Sequence, residues 1–396
     1  MKNFSEISFS GKKVLIRVDF NVPLNERFEI TDDSRIVAAL PTIKNVLKDG
    51  GSVIIMSHLG RPKNGPEDKF SLKHLQKHLS ALLGVDVFFV QDCVGEKAQK
   101  AAKKLGVREV LLLENLRFHK SEKEGGFSFA KQLSGLADAY INDAFGTAHR
   151  AHASTAVVAQ FFPNDKYFGF LLANEIASLK MALKNPEKPF TAIIGGAKIS
   201  GKIDVIKALF EKVDNLIIGG GMAYTFAKSM GGSVGKSMVE NEKVLLAKQL
   251  IEEAKEKGVN LVLPIDSVNA HSFNNNAKTY TSDILEIDSN YMGLDIGKKS
   301  IDHFSDIIKS SKTIIWNGPM GVFEMENFST GTKQIANAIC SATENGAFSL
   351  IGGGDSVAAI KKFELADKVS YISTGGGAML EYLEGKKLPG VEAILA

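Results

Sequence analysis

The sequence predicts an α/β protein built from two doubly wound parallel-sheet domains. Three observations lead there. Short apolar runs rich in β-branched residues alternate with segments of helical period along most of the chain, as expected of parallel strands joined by crossover helices. The 396 residues exceed what a single hydrophobic core organises. The residues that follow the strands change in kind halfway along, from basic and polar side chains to clusters of glycine.

The first half holds the strand-like runs "KVLIRVDF", "SVIIMSHLG", "EVLLLENLRF" and "AYINDAFG". Between the first two lies "DDSRIVAALPTIKNVLKDG", with Ile36, Leu40, Ile43 and Leu47 on one helical face. The helical stretch "LLANEIASLKMALKNPEKPF" joins the halves. Pro186 and Pro189 break it, and the next strand starts at about Thr191. The second half reads as strands at "FTAIIGGAK", "NLIIGGGMA", "NLVLPIDSV", "TIIWNGPMG", "FSLIGGGDS" and "VSYISTGGG". No internal repeat or low-complexity tract interrupts the rhythm.

Composition narrows the function classes. With 44% hydrophobic and 23% charged residues and a net charge of +3, bulk electrostatics argues for neither nucleic acid nor membrane. Cys93 and Cys340 have no zinc or CxxC spacing and suit packing in a reducing compartment. The N-terminal stretch has no long apolar region and no run approaches a membrane span, so a cytoplasmic location is expected.

Ligands of such sheets bind beyond the carboxyl ends of the strands. There the first half offers Arg17, Asp19, Asn21, His58, Arg61, Arg117, His119, His149 and Arg150. Arginine presents a planar fork of donors suited to carboxylate and phosphate, so this basket reads as an anion site, with Arg17 its weakest member. Arg35 stands at a helix start, where its charge opposes the dipole; an anionic ligand nearby would explain it. The second half offers Gly195-Gly196, Gly219 to Gly221, Gly352 to Gly354 and Gly375 to Gly377. Such loops let phosphate approach backbone N–H groups at a helix start. Lys198 and Lys202, spaced i, i+4, are expected on one face of the helix after the first cluster. Asp355 either caps its helix, as Ser356 can, or holds Mg²⁺ beside phosphates.

Two motifs are set aside. "GGSVGKS" (231–237) lacks the first phosphate-loop glycine, since Met230 stands there, and it reads as a turn. His74 and His78 have metal-ligand spacing but flank the apolar stripe Leu72, Leu75 and Leu79, so they read as a solvated helix face.

The stretches "RVDFNVPL", "SHLGRP", "LLENLRFH", "NDAFGTAHRAHAS", "IIGGAK", "GGGMAYTF", "WNGPMGVFE", "GGGDS" and "STGGGAMLEYLEGKKLPGV" together resemble the phosphoglycerate kinase family, in the family's order, from about residue 15 to the end. The resemblance implies two domains facing each other across a cleft and joined by an interdomain helix. Residues 1–171 with a returning tail at about 385–396 would bind 3-phosphoglycerate, 172–189 would be the hinge, and 190–384 would bind Mg-ATP or Mg-ADP. It assigns Asp19, Asn21, Arg35, His58, Leu59, Gly60, Arg61, Arg117 and Arg150 to the acid substrate. It assigns Lys198, Lys202, Gly219, Gly220, Gly293, Asn317, Glu324, Gly353, Gly354, Asp355 and Ser356 to the nucleotide, with Asp355 on Mg²⁺ and Glu324 on the ribose. Arg35, Lys202, Gly376 and Gly377 fall to catalysis. Gly201 departs from the family, many members having an acid there, and "NEIASL" replaces the commoner "KEL".

The implied reaction is reversible phosphoryl transfer between 1,3-bisphosphoglycerate with ADP and 3-phosphoglycerate with ATP, by a monomer whose hinge closes. Another acyl-phosphate-forming acid kinase, or a nucleotide-gated binding protein without catalysis, are the alternatives. A dinucleotide oxidoreductase would need GxGxxG at the first turn, and "RVDFNVPL" has none.

Overall fold

The computed structural model describes residues 6–63, 65–184 and 186–396. The chain divides into two compact units, residues 1–177 with 387–396, and residues 178–386. The division falls inside one helix. Asn185, in the stretch read as a hinge, lies outside the described residues.

The first unit is built on β1 (Lys13–Val18), β2 (Ser52–Met56), β3 (Val87–Phe89), β4 (Val110–Leu112), β5 (Ala139–Asp143) and β6 (Lys166–Phe168). They form one parallel sheet in the order β3-β4-β2-β1-β5-β6. β2, β4 and β5 are buried along their whole length and β1 from Val14 onward, so they read as unbroken apolar runs rather than alternating ones. Helices α1 (Ser34–Lys48), α2 (Lys73–Leu83), α3 (Gly95–Lys104), α4 (Lys120–Lys123) and α5 (Phe127–Ser134) connect them, and α6 (Phe170–Lys184) leads onward. The stripe Ile36, Leu40, Ile43 and Leu47 of α1 is buried in this core.

The second unit repeats the plan. Its parallel strands are β7 (Phe190–Ile194), β8 (Asn215–Ile218), β10 (Asn260–Val262), β15 (Thr313–Asn317), β16 (Phe348–Ile351) and β17 (Tyr371–Ile372), ordered β10-β8-β7-β15-β16-β17. Its helices are α7 (Ile203–Phe210), α8 (Met222–Ser229), α9 (Val244–Glu256), α10 (Lys298–Ser310), α11 (Thr330–Glu344), α12 (Gly354–Lys362) and α13 (Gly376–Leu383). The last helix, α14 (Pro389–Leu395), belongs to the first unit. In each sheet the strand order reverses beside the strand that starts the unit, β1 or β7, which opens a crevice at the carboxyl ends.

"NLVLPIDSV" is not one strand. Pro264 separates β10 from β11 (Asp266–Ala270), which pairs antiparallel with β12 (Thr279–Asp283) and β14 (Met292–Ile296). A ribbon of β9 (Ser233–Val234) with β13 (Glu286–Ile287) completes the strands. The three-stranded sheet left little trace in the sequence because β12 is half exposed, without an apolar run.

Candidate active site

In the first unit the strand-end residues converge on one peptide, that of Gly60. Its N–H donates to Asn21 Oδ1 at 2.8 Å, and its carbonyl accepts from Arg117 Nη1 at 2.7 Å. Gly60 sits at φ +61°, and a Cβ there would lie 2.3 Å from the Phe70 ring, so no side chain fits. Arg35 Nη1 donates to Asp19 Oδ2 at 3.3 Å and to the Asn21 carbonyl at 3.1 Å. Its awkward place at the start of α1 is thus partly explained by a carboxylate of its own unit.

His58 Nδ1 lies 3.7 Å from Asp19 Oδ1, so Asp19, Asn21, Arg35, His58, Gly60 and Arg117 form one connected group. Leu59 is buried and contributes its carbonyl to Asn115 Nδ2. Arg61 and Arg150 are exposed. The charge of Arg61 acts on Arg117, a member of the group, whereas that of Arg150 acts on His152, outside it. Arg17 is no ligand-facing group. It is 1% exposed inside β1, bonded to Ser154 Oγ, the Val18 carbonyl and His58 Nδ1. Strand alternation turned it inward, where Ser154 links it to the buried Glu122.

Burial pushes His58 well below its ordinary value, against the pull of Asp19, and leaves the ring neutral. Burial opposes ionisation of Asp19 too, yet the Arg35 and Arg17 guanidiniums hold it below the usual carboxylate range. Arg117 is lowered to about 10, first by burial and then by Arg17. A guanidinium so disfavoured invites an anion.

In the second unit two adjoining cavities share Gly196, Ala197 and Asp355. The smaller, about 320 Å³, is walled by backbone from Gly195-Gly196, Gly318, Gly353-Gly354 and Gly376-Gly377, with Lys198, Lys202, Asn317 and Ser356. The first turns of α12 and α13 both open into it, bringing free N–H groups and two positive dipole ends. Asn317 is 2% exposed; its Oδ1 accepts from Lys202, while its Nδ2 is buried with no partner. Burial lowers the Lys202 amine to about 8, with Asp355 pulling the other way.

Local details correct two sequence expectations. Lys198 and Lys202 do not share a helical face. The chain from Gly195 to Lys202 is a turn that Gly196 enters at φ +108°, and α7 starts only at Ile203, with Lys202 in the cap position. Neither Asp355 nor Ser356 caps α12. Gly353 takes that place at φ +91°. Asp355 stands exposed in the first turn, and Ser356 is buried, accepting from Gly318 N–H.

The larger cavity, about 440 Å³, is mostly apolar, with Tyr224, Phe273, Leu294, Met320 and Val322 in its wall and Lys236 and Glu324 among its few charges. Gly293 also lines it; a Cβ there would stand 2.1 Å from the Tyr224 hydroxyl. Gly219 lies behind the wall, against the Met320 sulfur, and Gly220 lines the space instead. Sequence reasoning missed Lys236 and Phe273. Lys236 lies in "GGSVGKS", which is not wholly a turn: it holds β9, and the turn that follows places Lys236 at this cavity. Phe273 follows the irregular end of β11, where no periodicity marks it.

Other candidates are satisfied within the protein. His74 Nε2 meets the Asp68 carbonyl at 2.8 Å and His78 Nε2 meets Asp33 at 2.9 Å, so these rings are paired rather than merely solvated. Asp92, Cys93 and His119 have ligand-type atoms within 4.8 Å of one another. The Cys93 thiol already donates to the Glu114 carbonyl, and His119 bonds Asp92 at 2.8 Å.

Two doubly wound units, one bearing a glycine-walled trough with a lysine and the other an arginine cluster, define an α/β phosphotransferase of two domains. The family model for phosphoglycerate kinase matches residues 4–386. Phosphoglycerate kinase of Porphyromonas gingivalis is 53% identical over 98% of this chain and 99% of its own. The cytosolic phosphoglycerate kinase of Triticum aestivum is 54% identical over 98% of this chain and 96% of its own. The solved phosphoglycerate kinase of Coxiella burnetii superposes with a TM-score of 0.90 at 43% identity, covering 99% of this chain and 98% of that one. The chain belongs to the phosphoglycerate kinase family. It is a glycolytic kinase, transferring a phosphoryl group reversibly between 1,3-bisphosphoglycerate with ADP and 3-phosphoglycerate with ATP.

Proposed function

We propose that the Gly60-centred group of the first unit binds the phosphoglycerate and that the trough of the second unit binds the nucleotide. The observation that carries this is the orphaned Asn317 Nδ2 in a glycine-walled cavity beside Lys202, where two helix starts meet. A buried donor without an acceptor is costly, and a phosphate oxygen would satisfy it. The base and ribose then occupy the larger apolar cavity, with Glu324 at the ribose and Gly293 in the wall.

The attacking group toward ATP synthesis is a phosphate oxygen of ADP, and toward the acyl phosphate it is a carboxylate, ionised at pH 7. No general base is needed. Alignment and charge neutralisation carry the rate. Arg35, Lys202 and the N–H groups of Gly376 and Gly377 supply them. Asp355 fits a magnesium ion brought in with the nucleotide: its carboxylate is exposed, lines both cavities and accepts no hydrogen bond from the described residues. The ion would add positive charge at the phosphates.

In-line transfer needs reacting atoms about 3–3.5 Å apart, so ligands held by separate units must be brought together; we infer closure over the stretch near 171–189. A monomer in the cytoplasm fits this reading. Among the described residues no helix is long and apolar enough to cross a membrane, and both cysteines are free and buried.

A coupled assay for ADP release dependent on ATP and 3-phosphoglycerate tests the assignment, run on the parent and on Asp355→Asn. The variant should require far more Mg²⁺ while its affinity for 3-phosphoglycerate holds. An unchanged Mg²⁺ titration would remove Asp355 from the metal.

A further inference from the structure

α6 begins without a cap of its own. Gly169 precedes it and has no side chain; a Cβ there would stand 2.2 Å from Asp143 Oδ1. Two other elements meet its free N–H groups. Phe170 N–H donates to Thr42 Oγ1 at 2.9 Å, and Leu172 N–H to Asp143 Oδ1 at 3.1 Å. Both acceptors are buried, and the Leu171 N–H also bears on the Asp143 carboxylate. The Thr42 hydroxyl also interacts with the Asp143 carboxylate.

Thr42 lies on α1, about two turns beyond Arg35. Pro41 is inside the same helix. It has no N–H to give the carbonyl one turn back, so α1 is weakest next to Thr42. α6 continues from the first unit into the second at Ala177–Ser178. The helix that carries Arg35 is thus fastened, at its own weak point, to the first turn of the helix that leads into the nucleotide unit.

We propose that Thr42 and Asp143 are positioning residues for phosphoryl transfer, tying Arg35 to the start of α6 so that the guanidinium is placed by that helix. This rests on Arg35 acting at the transferred group.

The test is steady-state kinetics on Thr42→Val, which keeps the shape and removes the hydroxyl. Turnover should fall about ten- to hundredfold, the cost of a small misplacement, with both KM values within about twofold. Thr42→Ser should restore turnover. In an Arg35→Ala background Thr42→Val should cost little more, because the two act as a unit. If Thr42→Val lowers Tm but leaves turnover unchanged while Arg35→Ala abolishes most of it, the latch is merely structural. If Arg35→Ala itself turns over like the parent, the assignment of Arg35 fails instead, and the latch with it. Should Thr42→Val not fold, Thr42→Ala carries the same test, since it too removes the hydroxyl that accepts from Phe170 N–H; parental turnover in that variant would overturn the proposal.

Discussion

Arg35 shows how one side chain can have a structural and a chemical reason at once. Its bonds to Asp19 and the Asn21 carbonyl hold it in place, yet two carboxylates, Asp19 and Glu122, cannot neutralise it together with Arg17 and Arg117 nearby. Arg35→Ala should lower turnover by about 10²–10³, as loss of a preorganised transition-state donor does, and leave ADP affinity near the parent's; titration calorimetry and the coupled assay measure the two. Lys202 gives a pH signature. Burial sets its amine at about 8, so it is cationic below that pH and neutral above it. In the free protein kcat/KM for nucleotide should therefore fall as pH rises through about 8. Lys202→Arg stays charged and should lack that limb. A limb that persists in the variant belongs to another group.

At the scale of elements, the trough depends on turns that only glycine can make. Gly220 holds φ +69°, and a Cβ there would lie 2.5 Å from Gly196 N. Backbone cannot yield as a side-chain tip can. Gly220→Ala should cost roughly 2 kcal/mol by urea unfolding and weaken nucleotide binding in the same variant. Gly201 is the contrast. A Cβ there meets nothing within 4 Å, so the acid common in the family would fit. Gly201→Asp should change stability by less than about 0.5 kcal/mol; a large loss would mean the turn before α7 needs glycine for its backbone.

At the scale of the whole molecule, the chain's last ten residues complete the unit that its first residues begin. Leu388, Val391 and Ile394 are buried there. Gly390 N–H donates to the Ala148 carbonyl at 2.8 Å, and its own carbonyl accepts from Asn142 Nδ2 at 3.2 Å. These bonds brace the segment that leads to Arg150. Removing residues 387–396 should destabilise the first unit by about 4.5–9 kcal/mol, from the three lost apolar side chains, and weaken 3-phosphoglycerate binding. Nucleotide affinity, measured by calorimetry, should hold. Loss of both affinities together would mean that the two units do not fold independently.

The sequence by itself determined the two parallel sheets, because fully buried strands read as apolar runs whatever packs against them. It also determined the glycine clusters and the arginines at strand ends, because backbone approach and anion pairing each demand particular residue types. Tertiary structure alone decided the rest. Arg17 could be assigned to the core only once Ser154, distant in sequence, was seen to face it. Phe273 and Lys236 joined one cavity because separate ribbons fold beside it. Asp143 met α6 and Thr42 through pairings no local pattern encodes. Local periodicity reports what a residue's neighbours in sequence require; these residues answer to neighbours that only the folded chain supplies.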